Sequence, residues 1–299
     1  MLCQMTHIPD PFKEDVMAKQ IVFSDSKPLP AMGQGTWYMG ENASQRKDEV
    51  NALRAGLDLG LTLIDTAEMY ANGGAEKVVG EAINGRRDDV FLVSKVYPWN
   101  AAGQSAIQAC EESMKRLKTD HLDLYLLHWR GDIALEDTVN VMQQLVKQGK
   151  IRRWGVSNLD YADMQELSGI AGGQQCATNQ VLYHLASRGI EYDLLPWCQQ
   201  QNIPVMAYCP LAQAGRLRSG LMNHPALNTL AQQKGVTVAQ LLLAWVIYHE
   251  GVIAIPKAGS VAHVAENAAA LEIELSQGDV DIMEKAFPAP GRKTPLDMV

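Results

Sequence analysis

The sequence predicts an α/β chain folded as a (β/α)8 TIM barrel with an N-terminal β-hairpin closing its bottom, and three observations carry that expectation. Eight short apolar runs of strand type alternate with helical patterns. Their ends fall near residues 37, 65, 95, 128, 157, 180, 208 and 255, a spacing close to the ~31 residues per unit of a barrel of about 250 residues. A dinucleotide fingerprint is missing: Gly33-Gln34-Gly35 is followed by Gly40, two positions too late for G-x-G-x-x-G, which argues against a doubly wound sheet. With 299 residues, 47% of them hydrophobic and 20% charged, the chain has enough apolar surface to fill one large core.

The elements follow in order. Residues 1–18 show no periodicity and are expected to be a mobile or over-annotated leader, with Met1, Met5 and Met17 as alternative starts. Residues 19–299 are expected to form one barrel domain, because no Pro/Ser-rich linker divides them. Ile21 to Met32 reads as two short strands around Asp25-Ser26, the hairpin. Met32 to Thr36 is the first barrel strand. Arg46 to Leu59 places Val50, Leu53 and Leu57 on one helical face and leads into the second strand at Thr62-Leu63-Ile64. The third strand is Val90 to Val93, followed by a helix over Ser105 to Leu117. The fourth is Leu122 to Leu127, followed by a helix over Thr138 to Lys147. Arg153 to Val156, Ala177 to Asn179 and Val205 to Tyr208 supply the next three. The long gap before the eighth strand, Val252 to Ile255, predicts a loop over Ala212 to Asn228 and then a helix over Val238 to Tyr248. Such a loop would lie on the face where barrels keep their function. The tail from Pro288 to Arg292 reads as irregular.

Composition excludes several classes of function. A net charge of -8 repels phosphate backbones and anionic membrane surfaces, so neither nucleic acid nor a membrane is an expected partner. Five cysteines without a C-x-x-C pair argue for reduced thiols in a cytoplasm. Metal binding is not expected: Asp120, His121, Asp123 and His128 are close in sequence, but Asp123 alternates off the His128 face of its strand.

Polar groups at the carboxyl ends of barrel strands converge on one mouth. The second strand ends in Ile64-Asp65-Thr66-Ala67-Glu68-Met69-Tyr70, the third in Val93-Ser94-Lys95 and the fourth in Leu127-His128-Trp129. Asp65, Tyr70, Lys95 and His128 are therefore candidates for one catalytic site. Singly each has a plainer role as a cap, a core residue or a solvent-facing strand end. Together they suit carbonyl reduction. Hydride attack makes an alkoxide that needs a proton from an acid within about 3 Å. Tyr70 is the candidate acid, and Lys95 is expected to lower its pKa from about 10. Asp65 would keep a buried Lys95 charged, and a neutral His128 would hydrogen-bond the substrate oxygen.

The stretch Gly60 to Tyr70, continuing to Glu76 and Gly80, with Val93-Ser94-Lys95 and Leu127-His128-Trp129, resembles the aldo-keto reductase family over about Leu29 to Pro288. The resemblance is closest to bacterial members that reduce methylglyoxal. It implies a barrel-bound NADPH/NADP cofactor and a monomer. It also implies cofactor contacts from Gly35, Thr36 and Trp37 on the first-strand loop, from Asp65, from Ser157, Asn158 and Gln180 around the carboxamide, and from Tyr208 and Leu211. Lys257, His263, Glu266 and Asn267 stand where the family binds the 2'-phosphate and adenine. Ala258 replaces a usual serine and His263 a frequent arginine, which implies weaker discrimination against NADH. Trp37, Tyr38, Trp99 and Trp129, with His128, are expected to wall a pocket for a small aldehyde or dicarbonyl. Two rival readings are a Schiff-base aldolase using Lys95 and an NADPH-binding regulatory subunit with little turnover.

Overall fold

The structure, a computed structural model, describes residues 19–23, 26–213 and 215–299. The expected leader 1–18 and Asp25 of the hairpin turn lie outside the described residues. Strands β1 (Gln20–Ile21) and β2 (Leu29–Pro30) pair antiparallel, as the hairpin reading expects. Phe23 between them is fully buried and stacks on Phe91 with ring centroids 5.2 Å apart. Phe91 opens a barrel strand, so the hairpin sits at the amino end of the barrel, its bottom.

Among the described residues, eight parallel strands follow in sequence order: β3 (Gln34–Gly35), β4 (Leu63–Asp65), β5 (Phe91–Val96), β6 (Leu122–Leu127), β7 (Ile151–Ser157), β8 (Asn179–Leu182), β9 (Val205–Tyr208) and β10 (Val252–Ala254). Parallel bridges Met32–Ala254 and Gly35–Lys257 join the first strand to the last, with Gly33 N–H donating to the Ala254 carbonyl at 2.8 Å. The sheet thus closes on itself and leaves no edge. Closure needs glycine at Gly35, where a Cβ would lie 2.6 Å from the Ile255 carbonyl oxygen. Almost every residue of the strands is buried, as expected for a parallel sheet covered by helices.

The covering layer begins with α1 (Arg46–Asp58), α2 (Gly74–Ala82), α3 (Gly103–Leu117), α4 (Leu135–Lys147), α5 (Tyr161–Gly169) and α6 (Leu194–Gln200). Helices α7 (Gly215–Met222), α8 (Pro225–Lys234) and α9 (Val238–Val246) follow β9, and α10 (Val261–Ala269) and α11 (Gln277–Ala286) end the layer. The expected loop over Ala212 to Asn228 is corrected by α7 and the first turn of α8. Pro225 at the first turn and a left-handed Gly235 at the end bound α8, and Leu227, Leu230 and Ala231 supply its buried face. The sixth barrel strand also lies further along than Ala177 to Asn179, since its ladder starts at Asn179 and runs to Leu182. Among the described residues no helix is long and apolar enough to cross a membrane.

Candidate active site

Strand alternation decides which side chains face the barrel axis. On β5, Ser94 points outward, where its hydroxyl donates to Glu76 of α2 at 2.6 Å, so Lys95 points inward. Lys95 is fully buried, and its three ammonium protons are all spoken for. Nζ donates to Asp65 Oδ2 at 2.7 Å, to the Thr66 carbonyl at 2.9 Å and to the Tyr70 hydroxyl oxygen at 3.1 Å. Asp65, at the carboxyl end of β4, accepts from Gln180 Nε2 on its other oxygen at 2.8 Å, and its carbonyl accepts from Thr36 Oγ1 at 2.9 Å. Both carboxylate oxygens are therefore paired, as burial of a charge demands.

Because the Tyr70 oxygen accepts from Lys95, its own proton is directed elsewhere. His128 follows β6, with its ring edge-on to the Tyr70 ring at a centroid distance of 5.8 Å. Burial, reinforced by the Lys95 charge, pulls the His128 imidazole down to about 2, so it is neutral at any working pH. Its Nδ1 is buried without a hydrogen-bond partner among the described residues, and Asn158 Nδ2 donates to its carbonyl at 3.2 Å. The expected lowering of the Tyr70 pKa is corrected here. Burial first, then the Asp65 carboxylate and Cys209, hold the phenol well above its ordinary value. Desolvating a phenolate costs more than one shared ammonium returns, and Asp65 takes most of that ammonium's field. Lys95 itself lies below an ordinary lysine because of burial, opposed by Asp65.

Tyr70 and His128 open onto a cavity of about 460 Å³ at the carboxyl ends of the strands. Gly35, Thr36, Trp37, Tyr38, Asp65, Trp129, Ser157, Asn158, Gln180, Tyr208, Leu211 and Lys257 line it with them. Ser157 Oγ donates to the Gln180 carbonyl at 2.8 Å, and the Tyr208 hydroxyl to Asn158 Oδ1 at 2.9 Å. Lys95 stands behind the wall. A lysine so enclosed, with Nζ engaged by three acceptors, is out of reach of a substrate carbonyl in the cavity, which argues against the Schiff-base reading.

Besides Lys95, four expected residues do not line the cavity. Trp99 sits in the short turn Pro98–Asn100, 62% exposed and stacked on Tyr97 at 4.3 Å, touching the site only through an edge contact with Trp129. His263, Glu266 and Asn267 lie on α10 beyond the Lys257 end. The Glu266 carboxylate accepts from Thr237 Oγ1 at 2.8 Å, His263 is exposed, and Asn267 lines a separate small crevice with Gly35 and Ala258. Conversely, Met69, Gln213, Arg218, Met298 and Val299 line the cavity and were not singled out from the sequence. Met69 is the neighbour of Tyr70 in the same motif. Gln213 and Arg218 lie in the stretch read as a loop, where Gln213 Nε2 donates to the Tyr38 hydroxyl at 2.9 Å. Met298 and Val299 arrive on an irregular tail tied down by Lys293 to Asp160 and Asp193, and by the Ser187 hydroxyl to Asp297.

Two buried histidines set a pH dependence of stability. His128 lies at about 2 and His184, also pulled down by burial, at about 4, whereas an unfolded histidine titrates near 6.5. Below pH 6.5 the unfolded chain takes protons that the fold refuses. Their stabilising contribution is whole above 6.5 and is lost as pH falls toward 4. Thermal unfolding should show a falling midpoint over that window, shallower in His184→Gln, where up to ~1.4 kcal/mol per pH unit is removed from the slope. A slope unchanged by His184→Gln would contradict this.

The aldo/keto reductase family model matches residues 31–287. The chain is 70% identical over 281 residues to the methylglyoxal reductase YeaE of Escherichia coli, covering 94% of this chain and 99% of that protein. It is 34% identical to a glyoxal reductase of Bacillus subtilis, covering 85% and 87%. A crystal structure of an aldo-keto reductase from Klebsiella pneumoniae in complex with NADPH superposes with a TM-score of 0.93 at 65% identity, covering 94% of this chain and 99% of that one. The chain belongs to the aldo/keto reductase family.

Proposed function

We propose that the chain reduces small neutral aldehydes and dicarbonyls, methylglyoxal foremost, to alcohols with NADPH. The observation that carries this reading is the threefold donation of Lys95 to Asp65, the Thr66 carbonyl and the Tyr70 oxygen, which leaves the phenolic proton free for a substrate. The similarity to the E. coli methylglyoxal reductase and to the Klebsiella NADPH complex supports the substrate and the cofactor.

The cavity's donor set fits a nicotinamide dinucleotide. One end joins the aromatic Tyr208 to the amides of Asn158 and Gln180, groups that suit a flat, amide-bearing ring. Along the rest of the cavity lie Arg218 and Lys257, neither in an ion pair among the described residues; Arg218 makes only long contacts, 3.5 and 3.4 Å, to the Leu211 and Ala212 carbonyls. Two uncommitted cations suit phosphates. When bound, the reduced nicotinamide supplies the hydride.

The protein's own part is the proton. His128, neutral, holds the carbonyl oxygen beside Tyr70. As that oxygen becomes an alkoxide, a stronger base than a phenolate, the Tyr70 O–H bond breaks and the proton moves to it. Lys95 supports the phenolate left behind, and Asp65 supports Lys95. High pKa values for the free site keep Tyr70 protonated across the working range, so the acid is always loaded. Lys257, at the position where the family resemblance puts the 2'-phosphate, is the cation that would favour NADPH, with Arg218 as the second cation available to the cofactor's phosphates.

Trp37, Tyr38, Trp129, Met69 and Met298 give the cavity an aromatic and thioether lining, which favours a small neutral carbonyl. Accordingly kcat/KM for methylglyoxal should exceed that for a sugar phosphate aldehyde by at least about tenfold, and the reverse order would sink the substrate assignment. The same reading takes residues 19–299 as one catalytic unit, working as a monomer in the cytoplasm without nucleic acid or membrane partners.

A further inference from the structure

The turn that carries Tyr70 is held in a conformation its residues disfavour. Ala71 (φ 50°, ψ 37°), Asn72 (φ 50°, ψ 50°) and Gly73 (φ 79°, ψ 4°) are left-handed in succession, two of them with side chains. Such a run persists only where the surroundings over-determine it. Against it pack the Gly40 backbone, at Gly74, and Arg116, in the last turn of α3. A Cβ on Gly73 would lie 2.5 Å from Arg116 Cδ and 2.6 Å from its Nε, so the guanidinium stem packs directly beneath the turn. Arg116 is itself fixed. Its Nε donates to Glu76 Oε2 at 2.5 Å and its Nη2 to Ser113 Oγ at 3.1 Å.

Glu76 is fully buried in the first turn of α2, four residues after Asn72, and its other oxygen accepts from Ser94 Oγ at 2.6 Å. Ser94 is the residue before Lys95. One buried carboxylate therefore ties the turn bearing the phenol to the strand bearing the ammonium. Neither Glu76 nor Arg116 lines the cavity.

We propose that Glu76 and Arg116 are positioning residues that clamp the left-handed turn and thereby set the approach of the Tyr70 hydroxyl to Lys95 and to the substrate. The clamp rests on the reading of Tyr70 as proton donor. It acts on the chemical step and not on binding, because displacing a proton donor by about 1 Å costs on the order of 10²-fold in rate while the cavity walls stay in place.

The test is a double-mutant cycle against Tyr70→Phe. Arg116→Met keeps an unbranched stem where Arg116 Cδ and Nε pack against Gly73, is shorter by the guanidinium, and removes the hydrogen bonds. Since it strands the Glu76 carboxylate in the interior, the Glu76→Gln, Arg116→Met double variant is measured beside it. In both, kcat for methylglyoxal should fall about 10- to 100-fold, with KM and the NADPH Kd from nucleotide fluorescence within about threefold of wild type. In the Tyr70→Phe background the same changes should lower kcat by less than about twofold, because the group they position is gone. An unchanged kcat in the folded double variant, or an equal loss in both backgrounds, would overturn the clamp. If Tyr70→Phe alone leaves kcat intact, the proton-donor reading fails first and takes the clamp with it.

Discussion

Tyr70→Phe should lower turnover of methylglyoxal by about 10²- to 10⁴-fold while leaving NADPH affinity nearly unchanged. The substitution removes one oxygen. The ring keeps its contacts with Trp37 at 6.3 Å, with His128 at 5.8 Å and with the Lys95 ammonium 4.7 Å above it, so the wall of the cavity is retained. Lys95 loses one of three acceptors and keeps Asp65 and the Thr66 carbonyl. The loss should fall on kcat, since His128 still orients the carbonyl. Turnover within a few-fold of wild type would mean that water delivers the proton.

Lys95→Met should cost turnover about 10²-fold or more and stability as well, and the two losses can be separated. Removing the ammonium leaves the Asp65 carboxylate, 2% exposed, with Gln180 as its remaining side-chain partner. An unpaired buried charge destabilises by about 3–5 kcal/mol. Adding Asp65→Asn removes that charge and should restore most of the melting temperature. It should not restore turnover, because nothing then supports the phenolate. Recovery of both together would show Lys95 to be a structural cation only.

The barrel was legible in the sequence because strands buried on both faces spell continuous apolar runs, as in Leu122 to Leu127, where expected and observed boundaries coincide. The tetrad was legible for a related reason: a polar residue just past such a run has one place to go, the mouth of the barrel. Less was readable where the helical signal was interrupted. Helices α7 and α8 lie in a stretch broken by Gly220, Asn223, His224 and Pro225, and the break at Pro225 is the start of a helix. Trp99 shows the limit of reading aromatics at strand ends, because a short turn after β5 carries it out of the cavity and onto Tyr97. Met298 and Val299 had no local signal. Their position depends on ion pairs made by Lys293 to residues more than a hundred positions away in the case of Asp160, and such pairing has no periodicity to read. Direction of pKa was beyond the sequence too, since it hinges on how completely Tyr70 is enclosed.

The proposed reaction is the reduction of a small carbonyl by NADPH through a proton delivered at Tyr70. Its most direct test is the loss of NADPH absorbance in the presence of methylglyoxal, followed alongside the appearance of the alcohol. Multiple turnovers are expected, with one NADPH consumed per alcohol formed. Tight NADPH binding by fluorescence with no consumption on methylglyoxal or any other aldehyde would contradict it and favour a nucleotide-binding protein built on the same barrel.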